Sequence, residues 1–240
     1  MLGAIAGDIV GSRFEGSGYK STDFTLLAPL CRYTDDTVLT VAVAAALLDG
    51  LPYADSLRAF ARRHPDAGYG ASFLRWMLRG DAGPYGSWGN GSAMRVSPVA
   101  WARDTEAEVL AEARDSARVT HDHPEGVKGA QAVALAVWMA RRGADAATLR
   151  AEITGRFGYD LSRTVAEIRR GYGFDLSCQG SVPESLTCAL EADGWEAAVR
   201  AAVSLGGDAD TMACIAGAVA QARFGGIAPL DAAAIHERLT

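Results

Sequence analysis

Val38-Leu39-Thr40-Val41-Ala42-Val43-Ala44-Ala45-Ala46-Leu47-Leu48 contains no breaker, and Gly50-Leu51-Pro52 follows as a stop. An unbroken run of Ala, Val and Leu closed by Gly and Pro reads as a helix. The same pattern recurs downstream. Residues 54–63 set Leu57, Phe60 and Ala61 near one face. Residues 105–119 begin at a candidate N-cap, Asp104 or Thr105. A long Ala/Val helix is expected over 127–142, ending at Gly143, with further helices over 144–157, 162–170, 183–192 and 195–204. Another apolar helix, 211–224, is closed by Gly225-Gly226. Period-two alternation is scarce and no hairpin signature stands out, while 27 glycines and abundant alanine suit closely packed helices. The expected fold is all-α, a compact single domain over 1–240. Its Gly/Pro/Tyr-rich stretch, 80–91, is expected to be a loop of the site, since loops on a rigid scaffold carry function.

Hydrophobic residues make up 49% of the chain, enough for a sizeable core, and charged residues 22%, as in ordinary soluble proteins. The formal net charge is −6 and no dense Lys/Arg run appears, which argues against bulk nucleic-acid binding. An anionic small ligand stays compatible with that charge, because a bound divalent metal inverts the local field. Cys31, Cys178, Cys188 and Cys214 form no CxxC pair and no zinc-type spacing, so they read as reduced core thiols of a cytoplasmic protein. Residues 1–11 are apolar and Gly-rich, but they lack a basic start and Asp8 interrupts them, so no secretory leader is expected. The longest uncharged apolar stretches, 38–48 and 130–140, fall short of the roughly 18 residues a membrane span needs. No membrane partner is expected, and a monomer is the default.

Two acidic clusters share one grammar. Tyr33-Thr34-Asp35-Asp36-Thr37 and Gly206-Gly207-Asp208-Ala209-Asp210-Thr211 each place two carboxylates and neighbouring hydroxyls in a turn before a long apolar helix. Hard cations such as Mg²⁺ and Mn²⁺ take oxygen ligands of this kind, and the absence of Cys and His from both clusters disfavours zinc. Adjacent residues at a helix start diverge by about 100°, so Asp35 and Asp36 need not serve one ion alike. One can face each of two ions, with the second cluster closing the site from the opposite side. Alone, Thr34-Asp35-Asp36 reads equally as a helix cap. The paired occurrence favours metal binding, because one cap needs one side chain.

With these clusters in place, six motifs in order along nearly the whole chain resemble the ADP-ribosylglycohydrolase family, which includes the dinitrogenase reductase-activating glycohydrolases. They are Gly3-Ala4-Ile5-Ala6-Gly7-Asp8 leading to Gly11-Ser12-Arg13-Phe14-Glu15, the first acidic cluster, Ser87-Trp88-Gly89-Asn90-Gly91-Ser92-Ala93-Met94-Arg95, Thr120-His121-Asp122-His123-Pro124, Gln179-Gly180-Ser181-Val182-Pro183-Glu184, and the second acidic cluster. The resemblance implies an all-α fold with two Mg²⁺ or Mn²⁺ ions held by Thr34, Asp35, Asp36, Asp208, Asp210 and Thr211. It implies metal contact, acid/base work or both for Glu15, which otherwise reads as a solvated loop carboxylate. Asp35 and Asp36 join Glu15 as the catalytic set. The loop with Ser87, Trp88, Gly89, Asn90 and Gly91 resembles the family's substrate loop, with Arg95 as a surface charge in the blander reading. His121 is implied in contact with the ADP-ribose diphosphate or ribose, and otherwise reads as a buried, hydrogen-bonded histidine. Trp88, Tyr172 and Phe174 read either as adenine-stacking groups or as packing.

The resemblance therefore implies hydrolysis of the glycosidic bond of small-molecule or protein-linked ADP-ribose, through a transition state like an oxocarbenium ion. Some members acting on ADP-ribosyl-arginine carry an acid three positions before the loop Asn; here that residue is Ser87. This leans the expectation toward O-linked ADP-ribose. Two rival readings stand beside it: a two-metal nucleotide phosphohydrolase, and an inactive ADP-ribose-binding or structural relative.

Overall fold

Residues 1–239 are described in a computed structural model, where they form fourteen α-helices, one 3₁₀ turn at Ser12–Phe14 and no strand. In chain order these are α1 Leu2–Gly11, α2 Asp35–Asp49, α3 Tyr53–Arg63, α4 Ala71–Leu78, α5 Gly91–Met94, α6 Val99–Ala102, α7 Glu106–Arg118, α8 Pro124–Arg141, α9 Ala146–Phe157, α10 Val165–Gly171, α11 Cys178–Glu191, α12 Trp195–Val203, α13 Ala209–Phe224 and α14 Ala232–His236. The all-α expectation holds. No helix among the described residues is long and apolar enough to cross a membrane. The four cysteines are all buried and unpaired.

Local chemistry sets most boundaries. Thr105 and Thr164 each close a capping box, with Glu108 and Glu167 respectively, so α7 starts at Glu106 and α10 at Val165, three residues later than apolar patterning placed it. Glycines in the left-handed conformation end α2, α9 and α13 at Gly50, Gly158 and Gly225. Ser177 caps α11, which therefore begins at Cys178 and carries Pro183 inside it, rather than starting at that proline. Both acidic clusters lie within helix starts instead of ahead of them. Asp35 and Asp36 occupy the first turn of α2, and Asp208 is the N-cap of α13.

Of the helices that patterning did not reveal, α1 matters most for the site. It lies against α13, which is buried along residues 209–220 and also packs on α12, α11 and α8. Gly3, Gly7 and Gly11 recur every four residues along one α1 stripe. A Cβ on Gly3 would sit 2.4 Å from the Gly217 carbonyl oxygen, on Gly7 2.1 Å from that of Ala213, and on Gly11 2.5 Å from that of Ala209. Backbone thus meets backbone along the whole interface. This close approach brings Asp8, on the next α1 position, within reach of the starts of α2 and α13.

Gly7→Ala is expected to force these helices apart. The obstacle is backbone, which cannot swing aside, so overpacking should cost on the order of 1–3 kcal/mol, or roughly 2–12 °C in Tm for a chain this size. Gly155→Ala, on an exposed part of α9 with nothing within 4 Å of the added Cβ, should instead gain about 0.4–1 kcal/mol. Thermal melts followed by circular dichroism read both. Equal melting of the two variants would contradict the close α1–α13 contact.

Candidate metal centre and substrate cleft

Asp8 anchors the first acidic cluster. Its fully buried carboxylate accepts from the Thr34 N–H at 2.9 Å, the Thr34 hydroxyl at 2.7 Å, the Thr37 N–H at 3.1 Å and the Thr37 hydroxyl. These groups belong to the N-terminus of α2, whose free N–H donors need acceptors. Thr34 also accepts from the Asp36 N–H at 3.3 Å, so it is a cap as well as a candidate ligand. Asp36 is thereby aimed at α13, where the Thr211 hydroxyl donates to its Oδ2 at 3.3 Å. Its Oδ1 is buried with no hydrogen-bond partner.

The second cluster is shaped by its two glycines. Gly206 adopts φ +69°, and a Cβ on Gly207 would lie 2.5 Å from the Tyr172 ring. Neither position tolerates a side chain without movement, and the sharp turn delivers Asp208 and Asp210 to the centre. Carboxylate oxygens of Asp8, Asp36 and Asp210 lie within 4.8 Å of one another, as do those of Glu15, Asp208 and Asp210. Asp210 belongs to both groups. Asp35 falls outside both, with its N–H bonded to the Ala67 carbonyl at 2.7 Å, so the two adjacent aspartates do diverge.

The electrostatics are one-sided. Burial pushes the Asp8 carboxyl up to about 6 and that of Asp35 up to about 7. Burial, followed by the charges of neighbouring carboxylates, drives Asp36 and Asp210 well above the usual carboxylate range. Asp208 is raised by burial, and Glu15 by partial burial and the Asp208 charge. Like charges held this close favour a bound cation or a shared proton.

A cleft of about 730 Å³ opens above the acids, a size that suits a small ligand. Glu15, Asp35, Asp36, Asp208, Asp210 and Thr211 line one part of it, and Ser87, Trp88, Gly89, Asn90, Gly91 and His121 another. Thr34 is not on the lining. The 86–90 loop is tied to the approach of α11, with the Asn90 N–H donating to the Leu176 carbonyl at 2.8 Å and the Cys178 N–H to that of Trp88 at 2.9 Å. Asn90 in turn donates its side-chain amide to Asp208 Oδ2 at 2.7 Å, which locks the substrate-like loop to the acidic centre. Trp88 and Phe174 are half-exposed at the cleft wall, while Tyr172 spends its hydroxyl on the Gly180 carbonyl at 2.8 Å and is absent from the lining. His123 accepts from the Glu125 N–H as the cap of α8, which leaves it no part in the acidic centre.

The sequence of the chain matches the ADP-ribosylglycohydrolase family profile over residues 1–234. The chain belongs to the ADP-ribosylglycohydrolase family. It is 28% identical to the ADP-ribosylhydrolase ARH3 of Danio rerio over a 303-residue alignment, covering 94% of this chain and 81% of that protein. It is 32% identical to the ADP-ribosylhydrolase ARH3 of Mus musculus over 178 residues, 60% of this chain and 48% of that protein. Against that mammalian relative, the matched stretch spans about half of its length. A solved structure of an ADP-ribosylglycohydrolase-related protein complex superposes with a TM-score of 0.71 at 29% identity, covering 96% of this chain and 87% of the other.

Two residues of this ADP-ribosylglycohydrolase-family cleft escaped sequence reasoning. Asp8 carried a faint signal, an acid inside an apolar Gly-rich run, but its partners are 26 and 29 residues away. Arg95 looked like a surface charge, since arginines are mostly exposed. It is only 1% exposed and lines the cleft from below the substrate-like loop.

Proposed function

We propose that this chain is a metal-dependent hydrolase that cleaves the glycosidic bond of ADP-ribosylated substrates and releases ADP-ribose. The observation that carries the proposal is the convergence of Asp36, Asp208 and Asp210 beneath a cleft whose wall, through Asn90, is bonded to one of them, Asp208. The donor set fits hard divalent ions: every side chain offered is an oxygen donor, and the buried Asp36 Oδ1 has no protein partner. Thr34, Asp35, Asp36, Asp208, Asp210 and Thr211 would hold two ions, Mg²⁺ or Mn²⁺. When bound, such ions supply Lewis-acid polarisation of ribose and water oxygens.

The chain's own groups then divide the work. Glu15, its carboxyl raised above the usual range by partial burial and the Asp208 charge, can accept a proton from the attacking water or deliver one to the leaving atom. Water adds to the anomeric carbon as the bond to the leaving atom breaks, and that atom keeps the electron pair and gains a proton. Asn90 and the Gly91 backbone orient ribose and phosphate oxygens, while Gly89, its N–H donated to Ser87 Oγ, leaves the ligand room. Trp88 and Phe174 present ring faces for the adenine. Ser87 is committed to the Gly89 N–H at 3.1 Å and offers no carboxylate for a guanidinium, which favours O-linked substrates, although Asp175 also lines the cleft. The test is release of free ADP-ribose from matched ADP-ribosyl-arginine, ADP-ribosyl-serine and O-acetyl-ADP-ribose. Release from an O-linked substrate in preference to the arginine conjugate supports the reading. Release from none of the three contradicts it.

Acid titration gives an independent check. Asp8 and Asp35 bind protons in the folded chain up to about pH 6 and 7, whereas unfolded carboxyls lose them near 3.8. Between those limits the native state holds more protons, so this contribution to stability is present at low pH and lost as pH rises through 6 to 7. A divalent ion relieves the repulsion only once the acids are ionised. The Tm gained on adding Mg²⁺ or Mn²⁺ should therefore grow from about pH 5 to about pH 8. A gain that is flat or shrinks over that range is incompatible with these acids as the ligands.

A further inference from the structure

We infer that Arg95 and Thr120 are positioning residues that hold His121 as the neutral Nε2–H tautomer, with its single ring donor turned to the cleft. Arg95 follows α5 into the interior, where it is 1% exposed, and among the described residues no carboxylate pairs with it. Its Nη2 donates to the Ser116 carbonyl at 3.1 Å and to the Thr120 hydroxyl at 2.8 Å. Thr120 is fully buried, and its Oγ1 lies 2.7 Å from His121 Nδ1.

That last bond allows either direction taken alone, and Arg95 decides it. A guanidinium has only donors, so Thr120 Oγ1 must accept from it. The hydroxyl then has one proton left to place, and of its two remaining neighbours, His121 Nδ1 at 2.7 Å and the Tyr85 phenol, the phenol brings a donor of its own, so Nδ1 is the acceptor. The opposite arrangement, Nδ1–H donating to Oγ1, would strand that proton in a site without solvent, which folded proteins avoid. Burial, together with the Arg95 charge, holds the imidazole well below its usual range, so the ring is neutral. A neutral ring that accepts at Nδ1 carries its proton on Nε2.

Nε2 is where a ligand would meet it. His121 lines the cleft, and a Cβ placed on Gly91 would lie 3.3 Å from Nε2, one on Gly89 3.7 Å. The two glycines thus clear the space in front of the ring. Arg95, Thr120 and His121 donate in one direction, each bond polarising the next. The charge of a buried cation is passed to a neutral donor facing an oxygen acceptor. Resting on the proposed function, that acceptor is a diphosphate or ribose oxygen of ADP-ribose.

Long-range ¹H–¹⁵N spectra of the full chain labelled at histidine read the tautomer directly, without any activity. The expected result is a neutral Nε2–H pattern for His121 in the wild type. Thr120→Val should lose that single pattern and bind ADP-ribose about tenfold more weakly by calorimetry, the worth of one hydrogen bond. Thr120→Ser should restore both. A protonated or Nδ1–H ring in the wild type overturns the inference, as does a Thr120→Val protein that keeps the Nε2–H pattern. The wild-type spectrum decides the tautomer even if Thr120→Val folds poorly. Wild type with the expected tautomer but no ADP-ribose binding would leave the relay standing and refute the proposed function.

Discussion

Asp210→Asn should lose turnover and metal together while the metal-free protein melts higher than wild type. Asp210 is 4% exposed and shared by both acidic groups. The amide keeps the shape but removes the charge that makes the position a ligand. If the bound ions supply several kcal/mol of transition-state stabilisation, kcat falls on the order of 10³-fold or more. The same change removes one of several buried like charges, so the metal-free fold gains stability, the opposition expected where function holds a site in strain. Asp35→Asn should follow the same pattern in activity. Activity assays, metal analysis and thermal melts on one preparation read all three effects. A variant with wild-type turnover and metal content would mean the acids are not the centre.

Asp8→Ala should move stability the other way. Its carboxylate receives two backbone N–H groups and two hydroxyls from the start of α2. The hydroxyls can rotate to other acceptors, but the Thr34 and Thr37 N–H groups cannot. Each buried N–H without an acceptor costs about 1–3 kcal/mol, and relief of one buried charge offsets part of that. A net loss on the order of 2 kcal/mol, or roughly 4–8 °C in Tm, is expected, with metal affinity lost as the α2 terminus loses its anchor. Melting in the absence of metal separates the two aspartates: Asp210→Asn rises and Asp8→Ala falls. If both rise, Asp8 is one more repelling acid rather than the anchor of α2.

The parts of this molecule legible in its sequence are those whose causes are local. Apolar runs gave α7, α9, α12 and α13 to within a few residues, because the signals that bound them, a side-chain cap for α7 and α9 and glycine beside α12 and α13, sit next to the run they delimit. Both acidic clusters and the 86–91 loop were visible for the same reason. The α1 helix was not, because Gly3, Gly7 and Gly11 lower helix propensity and only their contact with α13, some 200 residues away, explains them. Short α5, α6 and α14 carry no periodic apolar run, and α4, whose Phe73, Trp76 and Met77 do share one buried face, is only 8 residues long. Asp8 and Arg95 stayed hidden because their partners are distant in the chain. His121 was read as either a buried histidine or a ligand contact, and the geometry makes it both buried and cleft-lining.

Asp36, Asp208 and Asp210 are proposed to build one metal centre for glycosidic hydrolysis. The most direct measurement titrates Mn²⁺ back into chelator-stripped protein and follows ADP-ribose release while bound Mn²⁺ is counted in the same samples. Negligible release is expected from stripped protein, with recovery that tracks occupancy of two ions per chain. Full release from stripped protein, or full occupancy with no release from any ADP-ribosyl substrate, would contradict the proposal.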